Sequence, residues 1–165
     1  MSSLPRRLSL CLACAIGLVP VFVGAGDSKA PAAKTEYYKG KVVPLADLVA
    51  RAGSRLDADA APYCLVLAGE DGKVYPLVKD SGSRLFFNDP ALLNRPMRLT
   101  GQLLPGSQIL RVTAVHSYIK GQLHDVYYWC EICSIRRGEK NVCECCGGPM
   151  ELRFEALPKE QQGGR

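Results

Sequence analysis

Histidine is scarce in this chain. His116 and His124 are the only two among 165 residues. That leaves little material for a histidine-based catalytic metal site or a Ser-His-Asp relay. Both sit in strand-like segments, "TAVHSYI" and "QLHDVYY", where they alternate with apolar residues and read as strand-face side chains. His124 and Asp125 are neighbours in sequence, so in a strand they point to opposite faces and form no dyad. The sequence has no phosphate-binding loop, no nucleophile-elbow serine and no paired-carboxylate pattern. C-x2-C-H is absent, which excludes the usual covalent haem attachment. No segment repeats at a fixed period, so a solenoid is excluded. Together these absences predict a protein that is not an enzyme.

The chain also lacks an apolar run long enough to favour a membrane span. The longest, Leu8–Val23, covers 16 residues and is interrupted by Pro20. It follows Arg6 and Arg7 and precedes a Val-x-Ala site at Ala25. A basic start, a short apolar stretch and small residues predict a secretory signal peptide over residues 1–25. Its removal places the protein outside the cytoplasm, periplasmic or extracellular, with no stable membrane span. The loss of Arg6 and Arg7 lowers the formal charge from +5 to +3, and four thiolates on a divalent ion subtract two more. A nearly neutral chain gives no broad attraction to nucleic acid or anionic lipid. The expected partner is an unidentified protein or small ligand.

Residues 26–35, "GDSKAPAAKT", are small and polar and read as a linker. Beyond them, hydrophobic residues make up 47% of the chain and charged residues 22%, a globular balance. Short strand signals follow one another: "EYYKGKVVPL", "YCLVLAG" turned by "EDG" into "KVYPLVKD", and three more between Met97 and Trp129. Leu45–Gly53 has helical spacing, and "SRLFFNDPALLN" suits a short helix or loop. The fold class is therefore mainly β, with one or two short helices. On "GKVVPL", "YCLVLAGEDGKVYPLV" and "RPMRLTGQLLPGSQILRVTAV", residues 36–127 resemble an OB-type antiparallel barrel, closed or partly open. Gly40 and Gly101 fall inside strands, where such a barrel bends or bulges.

Cysteine is the residue that is abundant, and it is clustered. Five of the eight lie in "CEICSIRRGEKNVCECC". Cys130 and Cys133 form one C-x2-C; Cys143 and Cys146 form a second, beyond the turn-rich arm Ser134–Val142. Thiolates two residues apart can grip one ion from a tight turn, and two such knuckles make a tetrahedral all-sulfur site. All-sulfur ligation suits zinc or iron and excludes magnesium and calcium. Export favours disulfides instead, and cross-pairing between the knuckles remains an alternative, because a bridge within one C-x2-C makes a small strained loop. A thioredoxin-like redox pair needs a following helix, and none is signalled after "VYYW".

Residues 128–154 resemble two-knuckle zinc ribbons and rubredoxin-like modules, most closely in "CECCGGPM". That resemblance implies Zn2+ held by Cys130, Cys133, Cys143 and Cys146, with Cys145 as a possible substitute ligand and iron as the alternative. Ser134 stands where those families often have glycine, which favours zinc. Cys145 reads as a spare thiol, Cys64 as a small core residue, and residues 155–165 as a disordered tail. Downstream of its leader the whole chain resembles exported bacterial proteins, which adds no activity. The expectation is an exported, non-enzymatic zinc protein whose ribbon is stapled to a ligand- or partner-binding barrel. The alternatives are an iron electron carrier, an OB-type nucleic-acid or saccharide binder, and a disulfide-stapled domain.

Overall fold

A computed structural model describes residues 34–162. The expected signal peptide with Cys11 and Cys14, most of the linker and the last three residues lie outside that range. The described chain is mainly antiparallel β. Its elements are β1 (Glu36–Pro44), α1 (Leu45–Arg51), β2 (Leu65–Gly69), β3 (Val74–Pro76), α2 (Arg84–Asn88), β4 (Pro96–Leu103), β5 (Leu110–Ile119), β6 (Gln122–Cys130), β7 (Ile135–Arg137), β8 (Glu151–Ala156) and α3 (Lys159–Gln162). Single 3-10 turns occupy Ala61–Tyr63 and Pro90–Leu92. No helix among the described residues is long and apolar enough to cross a membrane.

The strands form one sheet in the order β3-β2-β1-β4-β5-β6-β7, with β8 added to β6. β1 sits inside it, paired with β2 and β4, and its burial alternates: Tyr38, Gly40 and Val42 are buried while Tyr37, Lys39 and Lys41 are exposed. Of the two forms expected from the pattern, closed and partly open, the sheet is not closed. One parallel bridge, Leu77 to Leu110, links the far side of β3 to the start of β5, with Val78 N–H donating to Leu110 C=O at 3.0 Å. β3 is three residues long and ends at Pro76, which has no N–H to extend a ladder. Gly101 does mark an irregularity, the register shift between Thr100 and Gly101 against β5. A Cβ there would lie 2.3 Å from the Arg111 carbonyl oxygen, so only glycine fits without backbone movement.

The inner face of the sheet is capped by the segment between β3 and β4. Leu85 and Phe86 of α2 and Leu92 of the following turn are almost completely buried. Each such side chain contributes roughly 1.5–3 kcal/mol on burial. They belong to one core cluster with Val42, Leu67, Met97, Leu99 and Leu110, and the cluster runs on through Val126 and Tyr128 to Cys130, Cys143 and Met150.

β6 carries this continuity. Its first half pairs with β5 (Ser117 with His124, Tyr118 with Leu123). Its last residues pair on β7 (Tyr128 with Arg137, Cys130 with Ile135). β8 runs along it from His124–Ala156 to Trp129–Glu151. One strand therefore crosses the expected 127/128 boundary without a break, and the cysteine segment is built on the sheet's own β6. Residues 155–162, expected within a disordered tail, complete β8 to Ala156 and end in the short α3.

Candidate metal centre

The two C-x2-C segments form matching turns. Ser134 N–H donates to Cys130 C=O at 2.8 Å, and Gly147 N–H donates to Cys143 C=O at 2.7 Å. The residue after each second cysteine has a left-handed backbone: φ is 52° at Ser134 and 69° at Gly147. Ser134 was expected to depart from the knuckle pattern, but its backbone follows it. The sequence difference therefore appears as strain rather than as altered geometry, and it does not discriminate zinc from iron. A non-glycine residue in this region costs about 1–2 kcal/mol. Ser134→Gly is expected to stabilise the folded protein by about 1 kcal/mol, read as a rise in denaturant midpoint at unchanged slope.

Within each knuckle, backbone amides point at the first sulfur. Cys143 Sγ accepts from the N–H groups of Cys146 and Cys145, which pull its thiol down to about 6. Cys130 Sγ receives the N–H groups of Cys133 and Ile132; burial and the neighbouring Cys143 and Cys146 thiols outweigh them and raise it. Cys133 is raised as well, first by the Cys145 thiol and then by Cys146. The facing knuckles bring the sulfurs of Cys130, Cys133, Cys143 and Cys146 within 4.8 Å of one another. Cys130 and Cys146 Sγ are 3.6 Å apart. A tetrahedron with Zn–S bonds of ~2.3 Å has sulfur–sulfur edges of about 3.8 Å, so the four sulfurs fit one ion. A disulfide needs ~2.05 Å. The described cysteines are all free thiols.

The site is lopsided. Cys130 and Cys143 are 1% and 2% exposed and belong to the core. Cys133 is half-buried, and Cys145 and Cys146 are exposed. Ile132 and Val142, the neighbours in sequence of Cys133 and Cys143, are both exposed. Cys64 lies just before β2, half-buried and remote in sequence from the cluster. The metal-ligand group contains neither histidine. His116 is half-buried in β5, its pKa lowered by burial and then by the Arg98 charge, and His124 Nδ1 lies 3.0 Å from the Gln122 carbonyl.

The arm between the knuckles is held by ion pairs to β6, β8, the α2 region and the second knuckle. Arg136 pairs with Asp125 and, at 3.8 Å, with Glu155. Arg137 pairs with Glu144 at 2.8 Å. Arg84 reaches Glu139 at 3.4 Å. Lys140 Nζ lies 3.5 Å from Asp89 Oδ1, and Asp89 is nearly buried. Asp89 also accepts the Ala91 N–H at 3.1 Å and the buried Tyr128 hydroxyl at 2.9 Å. Burial pushes this carboxyl up, but the Ala91 N–H, the Tyr128 hydroxyl and the Lys140 ammonium outweigh it and hold the pKa below its ordinary value. Asp89 thus joins α2, β6 and the arm. Nothing in its local sequence, "FNDPALL", signals more than a turn.

Arg84, Phe86, Arg95, Arg98 and Arg111, the residues that could line a basic-aromatic groove for nucleic acid, do not form one exposed stripe. Phe86 and Arg98 are buried, Arg84 and Arg111 are paired with Glu139 and Asp80, and Arg95 stacks on Phe154. No protein-family model, curated protein or solved structure matches the chain.

Proposed function

We propose that this is an exported, non-enzymatic zinc protein in which Cys130, Cys133, Cys143 and Cys146 staple the β6–β8 segment to a ligand- or partner-binding β scaffold. The observation that carries it is the convergence of the four sulfurs within 4.8 Å from two matching turns. Four protein ligands close the coordination shell, as in structural rather than catalytic zinc sites. Zinc stands above ferrous iron in the affinity order for divalent ions, which supports it as the occupant. The leader at residues 1–25 supports export. An OB-like reading of the scaffold is supported by the order β3-β2-β1-β4-β5, the helix α2 between β3 and β4, and the parallel bridge Leu77–Leu110.

Elemental analysis of protein purified from its native compartment is the test. About one zinc per chain is expected from one tetrahedral site. Stoichiometric iron with visible absorption would replace this reading by the iron electron carrier, which the apolar Ile132 and Val142 beside the exposed knuckles favour. No metal, with knuckle cysteines paired under non-reducing mass spectrometry, would establish the disulfide-stapled domain.

A further inference from the structure

The sheet ends in a strand with one open edge. β8 pairs with β6 along its whole length, from His124–Ala156 to Trp129–Glu151, and among the described residues no strand lies on its other side. It is six residues long and contains no proline. An edge of this kind presents N–H and C=O groups to any strand that can align with it.

The ladder to β6 fixes which groups are open. Leu157 N–H donates to Leu123 C=O at 2.9 Å, one step beyond the His124–Ala156 pair. Hydrogen-bonded pairs alternate along an antiparallel ladder, so Arg153 and Glu155 bond to β6, while Leu152, Phe154 and Ala156 turn their N–H and C=O groups outward. Val126, opposite Phe154, agrees with this, because its N–H goes to the Asp125 carboxylate at 2.9 Å.

We propose that this edge joins a second copy of the chain: two β8 strands pair antiparallel about Phe154 and continue the sheet across a two-fold axis. The pairing goes beyond the zinc reading above and does not depend on the ion's identity. Charge selects the register. Only registers that match the outward residues with one another satisfy their open groups. Centring on Phe154 sets Leu152 against Ala156 of the second copy and Arg153 against its Glu155, and symmetry repeats both pairs. Arg153 and Glu155 then occupy the closer, non-hydrogen-bonded positions of the new ladder, where opposite charges directly across stabilise. Centring on Arg153 instead puts Arg153 against Arg153 and Glu151 against Glu155, like charge on like. Centring on Glu155 sets that carboxylate against itself. Centring on Leu152 needs Met150, which lies outside β8 and next to the bridged Pro149.

The two faces fit the same register. Leu152 and Phe154 are half-buried and packed on the core cluster, so the apolar faces of the two copies become continuous across the axis. On the other face Arg153 already pairs with Glu131 and Glu151 of its own chain, and Glu155 lies 3.8 Å from Arg136. The new contacts extend that network of alternating charge.

The test is the mass of the protein purified from its native compartment, read by light scattering over a range of concentrations. A two-chain species that grows with concentration is expected. Arg153→Glu sets a carboxylate against Glu155, and Glu155→Arg sets a guanidinium against Arg153, so each variant should dimerise at least about tenfold more weakly. An equimolar mixture of the two variants restores opposite charges at both positions and should recover the two-chain mass as a heterodimer. Amide exchange in the parent gives a second measurement that needs no variant to fold. Exchange at Leu152, Phe154 and Ala156 should slow as the protein is concentrated, while Arg153 and Glu155, bonded to β6, exchange slowly throughout. Zinc content of the same samples reports on the metal centre separately. A one-chain mass at every concentration, a dimer that neither substitution weakens, folded variants whose mixture stays monomeric, or exchange at the three outward amides that ignores concentration would overturn the proposal.

Discussion

Cys130→Ser and Cys143→Ser are each expected to abolish stoichiometric metal binding and to unfold the segment around the knuckles, residues 131–150. These two sulfurs are buried in the core cluster and each receives two backbone N–H groups. A structural zinc site contributes ~10–16 kcal/mol of apparent binding free energy at pH 7, and that free energy is available only to the folded segment. Whole domains are stable by only ~5–15 kcal/mol, so loss of the site dominates the local balance. β1 to β5 should persist, because Val42, Leu67, Met97, Leu99 and Leu110 form their core without the cysteines. Metal content and hydrogen exchange measured on the same samples check both halves. Exchange protection should vanish across 131–150 and β7 while staying in β1, β2 and β4. Cys145→Ser should keep full metal content. A Cys130→Ser protein that still held one zinc would show that the ligand set is a different four. Chelator treatment should reproduce the Cys130→Ser pattern. Lowering the pH should do the same, since the thiolates must be deprotonated to bind and take up protons as the metal leaves.

Asp89→Asn is expected to lower stability by about 2–3 kcal/mol, the range for losing charge-assisted hydrogen bonds at a buried position. The carboxylate serves three groups at once: the Ala91 N–H, the Tyr128 hydroxyl and Lys140. An amide retains one acceptor oxygen and loses the charge that Lys140 meets. Tyr128→Phe should cost less, about 1 kcal/mol, and the double variant less than the sum, because both remove the same bond. The pH dependence has a definite sign. The folded carboxyl lies below its ordinary value, so its contribution is complete above the unfolded pKa of about 3.9 and is lost as pH falls through the lowered folded value. The stabilities of the parent and Asp89→Asn should therefore begin to converge below about pH 4 and draw closer as the pH falls further. Denaturant titrations at pH 7 and pH 3 measure this. A difference between the proteins that stayed constant across that window would show that the carboxylate's charge plays no part.

Much of the fold was legible because its signals are local. Alternating burial in "EYYKGKVV", the apolar run "LVLAG" and the glycine inside "RLTGQL" report a residue's own strand and bulge, and these appear as β1, β2 and the Gly101 irregularity. The sequence left closed and partly open forms both standing, since closure depends on how far β3 extends beside β5, and the short β3 stops at Pro76. In the site, the paired two-residue spacing identified all four sulfurs that converge, because each knuckle is a tight turn specified by its own residues. The left-handed backbone at Ser134 was hidden, as serine does not advertise it in the way Gly147 does. The role of Asp89 was equally hidden, because its partners Tyr128 and Lys140 lie far along the chain and meet it only after β6 has paired. Local turns, ligand spacing and strand periodicity belong to short stretches of chain and can be read there. Sheet closure and the burial of Cys130 and Cys143 but not Cys146 depend on which surfaces meet in three dimensions, so only the packed chain reveals them.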